Sequence, residues 1–234
     1  LNSNTSGQIG TAAGKLTSFD ADGFTIGTTD SGWNGDTTTR YVAWCWKGGG
    51  TPVTNTEGSL SISLSANTTA GFSCGKFTGT GDDDSTIGHG LNEAPQMWWI
   101  KRMSGGDTDW SVGHTGIGTY DQFLRLSGNG TVESGLWGAD PTATVIHLGD
   151  PESTLAGHAE DYAMFAWHSV AGYSQFGYYF GNGSADGTFV NTGFRPMTII
   201  VKTVNQSGQP WYCWDTMRSS GNGLWKQLFP NNDS

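Results

Sequence analysis

Three tryptophans in glycine-rich polar segments are the residues of this sequence best suited to hold a ligand. They are Trp33, Trp137 and Trp225, and each has glycine within two positions. An exposed indole ring can stack on a sugar ring, while nearby Asn or Asp side chains hydrogen-bond to the sugar hydroxyl groups. The pattern predicts a carbohydrate-binding surface at these residues. The alternative is that each ring covers an edge of a folded body or a subunit contact.

A run of three aspartates offers oxygen ligands for a metal ion. Asp82, Asp83 and Asp84 follow one another in a polar segment, and carboxylate oxygens are ligands that Ca²⁺ prefers. The EF-hand spacing is absent, however, and Asp-rich turns are commonly only solvated turns. Calcium is therefore the one cofactor that the sequence brings into consideration, with a plain turn as the alternative.

The serine of residues 71–75 (GFSCG) fits the G-x-S-x-G pattern of a nucleophile elbow. That pattern activates a serine only on a strand–turn–helix, and here it begins an alternating strand pattern. A similar segment later in the chain, residues 172–176 (GYSQF), lacks the final glycine. Neither the five Glu nor the five His show the spacing of a glycosidase strand or of a metal site. We expect no catalytic residues and no enzyme activity.

The composition favours an ordered β protein and excludes two classes of partner. The 234 residues include 37 Gly and 11 Trp, a combination typical of many short strands joined by tight turns. The net charge is −10, and the 11 Lys and Arg residues are scattered along the chain. Because phosphate binding depends on clustered cations, we expect neither nucleic acid nor an anionic membrane as a partner. Three cysteines without C-x-x-C spacing do not indicate a disulfide framework.

Landmark residues recur at one offset along the chain, which points to an internal repeat. The pairs that share this offset are Gly71 and Gly172, Pro95 and Pro196, Lys101 and Lys202, and Trp110 and Trp211. In a loop between them, residues 79–81 (GTG) resemble residues 181–183 (GNG) after a slip of one position. We call the stretch that these landmarks define segment B.

A second stretch, segment A, recurs as well. Residues 41–47 (YVAWCWK) match residues 162–168 (YAMFAWH), and residues 1–4 resemble residues 126–129. The order along the chain is therefore A, B, A, B, and residues 48–70 form a Gly/Thr/Ser-rich linker inside the first repeat. We predict two domains, 1–125 and 126–234, each of which is one copy of the repeated unit.

Alternation predicts that the matched part of segment A is a strand. In residues 41–47, Val42, Trp44 and Trp46 fall on one face, and the second copy repeats the pattern. Residues 150–168 have reasonable helix propensity, but homologous positions should share one state. Strand is therefore the prediction for both copies.

Segment B is expected to contribute buried strands and core tryptophans. Residues 97–100 (MWWI) and 197–201 (MTIIV) are aromatic or β-branched runs bounded by Pro and Gly, as buried strands are. The tryptophans that recur between copies are predicted to lie in the core: Trp46 with Trp167, and Trp110 with Trp211.

Three segments of the second copy resemble a repeat family of marine bacteriophage genomes: residues 172–187 (GYSQFGYYFGNGSADG), 191–196 (NTGFRP) and 211–215 (WYCWD). The likeness covers nearly the whole chain. It implies a tail or fibre-type virion protein with concanavalin-like lectin sandwich domains, and it brings no catalytic residues with it. The first copy departs from the pattern at residues 112–114 (VGH), where the second copy has CWD.

These observations together predict an all-β chain with two jelly-roll or concanavalin-like β-sandwich bodies. The resemblance implies a structural protein of the virion, an extracellular particle, in a tail fibre or appendage. Its expected partners are other virion proteins, further copies of itself, for instance in a trimer, and a host surface glycan. One alternative is a head-decoration or head-fibre protein without a receptor role. Another is a secreted glycan-active enzyme.

Overall fold

The computed structural model describes most of the chain: residues 3, 5–7, 15–27, 32–39, 41, 43–149, 159–218 and 226–231. The described residues form strands and no helix, which confirms the predicted all-β class. The helix considered over 150–168 is a strand where it is described, from residue 161 onward. The described residues therefore include no helix that is long and apolar enough to cross a membrane.

The strands follow the chain in this order: β1 (Leu16–Phe19), β2 (Phe24–Ile26), β3 (Val53–Asn55), β4 (Ile62–Asn67), β5 (Phe72–Thr78), β6 (Thr86–Gly88), β7 (Met97–Arg102), β8 (Ser111–His114), β9 (Leu124–Arg125), β10 (Val145–His147), β11 (Asp161–Trp167), β12 (Thr198–Lys202) and β13 (Trp211–Asp215). The chain divides into two compact units. Residues 9–46 form the smaller unit, and residues 1–8 and 47–234 form the larger one.

A seven-stranded antiparallel sheet dominates the larger unit, in the order β3-β4-β5-β11-β7-β8-β9. Strand β11 lies between β5 and β7, with Phe165 opposite Cys74 on one side and Trp99 on the other. The predicted boundary between residues 125 and 126 therefore lies inside this unit, because a strand from the second repeat occupies the middle of a sheet built from the first.

Strict alternation along β11 gives the sheet two apolar faces. Tyr162, Met164 and Ala166 are fully buried on one face. Phe165 and Trp167 point to the other face, where their rings contact Trp99 or Trp110. The alternation predicted for this segment is confirmed, and it explains why a strand so rich in apolar residues lies at the centre of the sheet.

Each face is covered by a smaller strand pair, so the architecture is β-sandwich-like. On one face, Ile87 of β6 and Ile146 of β10 join a core that includes Phe77, Trp98 and Tyr162. On the other face, the β12–β13 hairpin packs through residues that cluster with Val112 and Leu124: Ile200 and Trp211. Burial of each such side chain contributes about 1.5–3 kcal/mol.

The hairpin β12–β13 repeats the hairpin β7–β8 in the same register. Trp98 lies opposite Gly113, and their counterparts at the repeat offset, Ile199 and Trp214, also lie opposite each other. The glycines that open each segment B, Gly71 and Gly172, share a positive φ (63° and 75°). The internal repeat is therefore present in the backbone as well as in the sequence.

The repeated lysines also make the same kind of contact. The Lys101 ammonium donates to the carbonyl oxygens of Ser6 (3.0 Å) and Thr108 (2.7 Å). Lys202 donates to the carbonyls of Gly130 (2.8 Å) and Thr203 (2.7 Å). Burial lowers the pKa of both lysines below the ordinary value for lysine.

The repeated tryptophans do not all lie in the core. Trp110, Trp167 and Trp211 are buried, as predicted, but Trp46 exposes 44% of its surface. The strand predicted over 41–47 is also absent from its described residues, 41 and 43–47. Alternation alone does not form a strand, because the backbone groups need a neighbouring strand, and β11 has one on each side.

Candidate functional site

The three tryptophans predicted to bind carbohydrate have different outcomes. Trp33 exposes 44% of its surface, in the smaller unit. Trp137 is only 3% exposed and lies in the larger unit's core, where its ring meets Trp98 edge-on at 5.4 Å. Trp225 lies outside the described residues.

The exposure predicted for Trp137 is wrong, and its glycine neighbours show why. The backbone of Gly149 passes close to that of Leu136, the residue before Trp137. A Cβ on Gly149 would lie 2.5 Å from the carbonyl oxygen of Leu136. Gly135 has a positive φ of 90°. These glycines allow a close backbone approach and a turn, rather than opening the surface around the ring. A buried indole presents no face on which a sugar could stack.

The segment around Trp33 is organised by one carboxylate. Asp36 Oδ1 accepts hydrogen bonds from the backbone N–H groups of Thr38 (2.8 Å) and Thr39 (2.9 Å), and from their hydroxyl groups at 2.7 and 3.0 Å. These bonds, with that from the Thr38 hydroxyl foremost, lower the pKa of Asp36 to about 2. A negative charge therefore lies three residues from Trp33 at neutral pH.

A second contact fixes the same loop. The backbone N–H of Gly35 donates to the hydroxyl oxygen of Tyr41 at 2.8 Å. Tyr41 and Trp44 are both exposed, as Trp33 is. The smaller unit thus presents exposed aromatic rings and, three residues along the chain from Trp33, a carboxylate held in place by hydrogen bonds. Such a surface has the chemistry to bind a neutral polyhydroxyl ligand by stacking and hydrogen bonding.

The importance of Asp36 was missed at the sequence level, although a signal was present. Asp36 is followed by Thr37, Thr38 and Thr39. An aspartate ahead of residues with free backbone N–H groups commonly caps a turn through its side chain. Thr also has high β propensity, so composition alone favours a strand over the same run and hides the turn.

Asp82, Asp83 and Asp84 lie exposed in the turn before β6. Asp84 has a positive φ of 58°, and the Ser85 hydroxyl donates to the Asp82 carbonyl oxygen at 3.1 Å. No group of three His, Cys, Asp or Glu side chains in the described ranges is placed to hold a metal ion. Calcium binding at these aspartates stays a prediction.

Ser73 of the G-x-S-x-G segment lies within β5, a strand, as expected from the alternation. Its side chain is fully buried, and its hydroxyl has no hydrogen-bond partner among the described residues. A nucleophilic serine needs a base within hydrogen-bond reach, and the described structure gives Ser73 none.

All three cysteines are free: Cys45, Cys74 and Cys213.

One buried histidine, His89, and one partly buried histidine, His114, stabilise turns in the larger unit. His89 Nδ1 accepts the N–H of Leu91 (3.2 Å), so its Nε2–H faces the carbonyl of Thr142 (3.1 Å). His114 Nδ1 likewise accepts the N–H of Gly116 (2.8 Å). Burial lowers the pKa of both imidazoles. The contacts therefore suit neutral rings with a structural role.

The comparisons with known proteins give a family and no relative of known function. A family model described as "Domain of unknown function (DUF7483)" matches residues 1–234. No curated protein and no solved structure matches the chain.

Proposed function

The chain belongs to the DUF7483 family, and we propose that it is a structural protein of a bacteriophage virion, in a tail fibre or appendage. In this proposal the chain is not an enzyme. It assembles with other virion proteins and with further copies of itself, and it is located in the extracellular particle.

The observation that carries this proposal is the repeated hairpin. Hairpins β7–β8 and β12–β13 share their register, which supports a chain built from two copies of one β unit. Proteins built from repeated units bury surface between neighbouring units and extend readily into larger assemblies. Aromatic residues are exposed in the smaller unit and within residues 173–189. Exposed aromatic residues of this kind are typical of surfaces that contact other proteins, as a component of a particle must.

We further propose that each complete copy of the repeated sequence unit is a jelly-roll or concanavalin-like sandwich. The seven-stranded sheet and the β6–β10 pair enclose one apolar core between them, which is the arrangement of two packed sheets. The resemblance to lectin-like phage proteins favours the same fold.

The receptor role in this proposal falls on Trp33. Its ring is exposed, and Asp36, three residues along the chain, holds a charged carboxylate. A shallow site built on one ring binds a glycan weakly, but many copies on a particle add avidity. Binding of a host surface glycan therefore requires the assembled form.

Replacement of Trp33 tests the receptor role. We expect Trp33→Ala to lower the melting temperature by only a few degrees, because the ring is not in the core and 44% of its surface is exposed. Adsorption of particles to host cells should fall by at least about tenfold, since avidity multiplies each single-site loss. Phe19→Ala removes another exposed ring of the smaller unit and is the matched control. Equal adsorption by wild type and Trp33→Ala would remove the receptor role, while a large fall in melting temperature would mean that the ring is packed.

The place of the chain in the particle can be seen directly. Gold-labelled antibody against the purified chain should decorate tails or appendages in electron micrographs. Labelling confined to the capsid would support the head-decoration alternative and contradict the tail assignment.

A further inference from the structure

In the first segment B a strand from segment A completes the sheet, whereas no described residues do so in the second. In the first, β11 fills the place between β5 and β7. In the second, β12 pairs with β13 only, within the described residues. The far side of each hairpin is filled alike: Leu124 lies opposite Val112, and Leu228 opposite Cys213. The open place is therefore the one beside β12 that β11 takes beside β7.

Apolar residues of the second segment B are exposed where their counterparts in the first are buried. Ile199 is 39% exposed, whereas Trp98, at the same place in the first copy, is 3% exposed. Phe189 and Ile87 each stand six residues after the matched glycine of their loop, yet Phe189 is 88% exposed and Ile87 is fully buried. Tyr173 is exposed, while its counterpart Phe72 packs on Trp167 at 5.3 Å.

The first segment A shows the opposite deficiency. Residues 41–47 match β11 residue for residue, with Trp44 at the position of Phe165 and Cys45 at that of Ala166. Yet no strand is present among the described residues of this stretch, and Trp44 is exposed. The described part of the chain thus contains a strand-like segment that is outside any sheet and a sheet edge, that of β12, with no strand beside it.

We propose that residues 41–47 of one copy add as a strand to β12 of a second copy of this chain. The occupant is a second copy because the segment that fits the open place is the sequence counterpart of the strand that fills it in the first repeat. The contact uses two different surfaces, so copies join head to tail. Addition of a strand to an exposed sheet edge satisfies the backbone hydrogen bonds of both partners. This inference goes beyond the proposed function, because it holds for any role of the assembled chain.

The repeat also fixes the register of the intermolecular pair. Ala166 lies opposite Trp98 in the first repeat, so Cys45 of one copy lies opposite Ile199 of the next. Directly opposite residues in neighbouring strands have Cα atoms about 4.5–5.5 Å apart, within the range of a disulfide. Cys45 is exposed and free. The pairing can therefore be trapped covalently.

The test is oxidation of the Ile199→Cys variant of the full chain, followed by non-reducing electrophoresis. We expect a ladder of disulfide-linked multimers, which the added Cys45→Ser change abolishes. Val201→Cys is the matched control: it is two residues away on the same face, so its distance from Cys45 grows to about 7–8 Å and cross-linking falls by about tenfold. Cross-linking confined to monomers, or equal cross-linking in the two cysteine variants, would overturn the proposal.

Sedimentation of the unmodified chain gives a second test that does not depend on cysteine chemistry. We expect the average mass to rise with concentration, and Trp44→Asp to shift the chain to monomers. Phe19→Asp, at another exposed aromatic position, should behave as wild type. A wild-type chain that is monomeric at every concentration, or variants that sediment alike, would contradict the proposal.

Discussion

Replacement of Gly113 by alanine tests whether hairpin β7–β8 is packed as the structure places it. Gly113 lies opposite Trp98, and a Cβ on it would lie 2.0 Å from the Cε2 atom of that indole. The indole cannot move freely, because it is buried and meets Trp137 at 5.4 Å. Overpacking of this kind costs about 1–3 kcal/mol, and removal of a strand glycine returns about 0.5–1 kcal/mol. The net loss in the free energy of unfolding is then about 0–2.5 kcal/mol, and we expect the upper half of this range because the indole is held in place.

Urea unfolding followed by circular dichroism measures this loss. Gly130→Ala is the matched control, because a Cβ there meets no atom within 4 Å. The second hairpin has Ile199 and Trp214 at the paired positions, so the double variant Trp98→Ile with Gly113→Trp transfers that pair to the first hairpin. We expect the double variant to be more stable than Gly113→Trp alone by about 1 kcal/mol or more. A Gly113→Ala protein as stable as the control would refute the packing described for this face.

Two further predictions concern the larger unit and its contrast with the smaller one. Trp167→Ala should cost about 3–5 kcal/mol of unfolding free energy, because it empties a buried aromatic site. Trp46→Ala should cost less than about 1 kcal/mol. Similar losses in the two variants would contradict the burial pattern. Burial lowers the pKa of His89 despite the nearby carboxylate of Glu57, while His168 also disfavours the proton. Because the unfolded chain then binds the proton more readily, His89 contributes stability that is fully present above about pH 6.5 and falls as the pH falls below it. Denaturation measured across this range should show a smaller pH slope in His89→Gln, and an unchanged slope would count against a buried neutral imidazole.

The local sequence pattern was sufficient for some elements and not for others. Strands β7, β11 and β12 were predictable as strands, because alternating or continuous apolar runs suit a pleated backbone. The burial predicted for residues 197–201 is wrong, since none of these residues is buried. The shared register of the two hairpins followed from the single offset between Lys101 and Lys202 or Trp110 and Trp211. What the pattern did not contain was the partner of each strand. Residues 41–47 alternate as β11 does, yet only β11 lies between two other strands.

The candidate site shows the same limit at the level of single side chains. Trp33 and Trp137 both stand beside glycines in polar segments, but one is exposed and the other is in the core. The difference arises from the loop after β9, which returns across the sheet and brings Trp137 against Trp98. Contacts between residues distant in sequence decide such burial, and no local spacing encodes them.

The central claim, that the chain is a structural component of a virion, is tested most directly by quantitative mass spectrometry of gradient-purified particles. The account predicts peptides of this chain in the particle fraction at a fixed, multiple copy number relative to the major capsid protein. Peptides found in the infected-cell lysate but absent from the purified particles would contradict it.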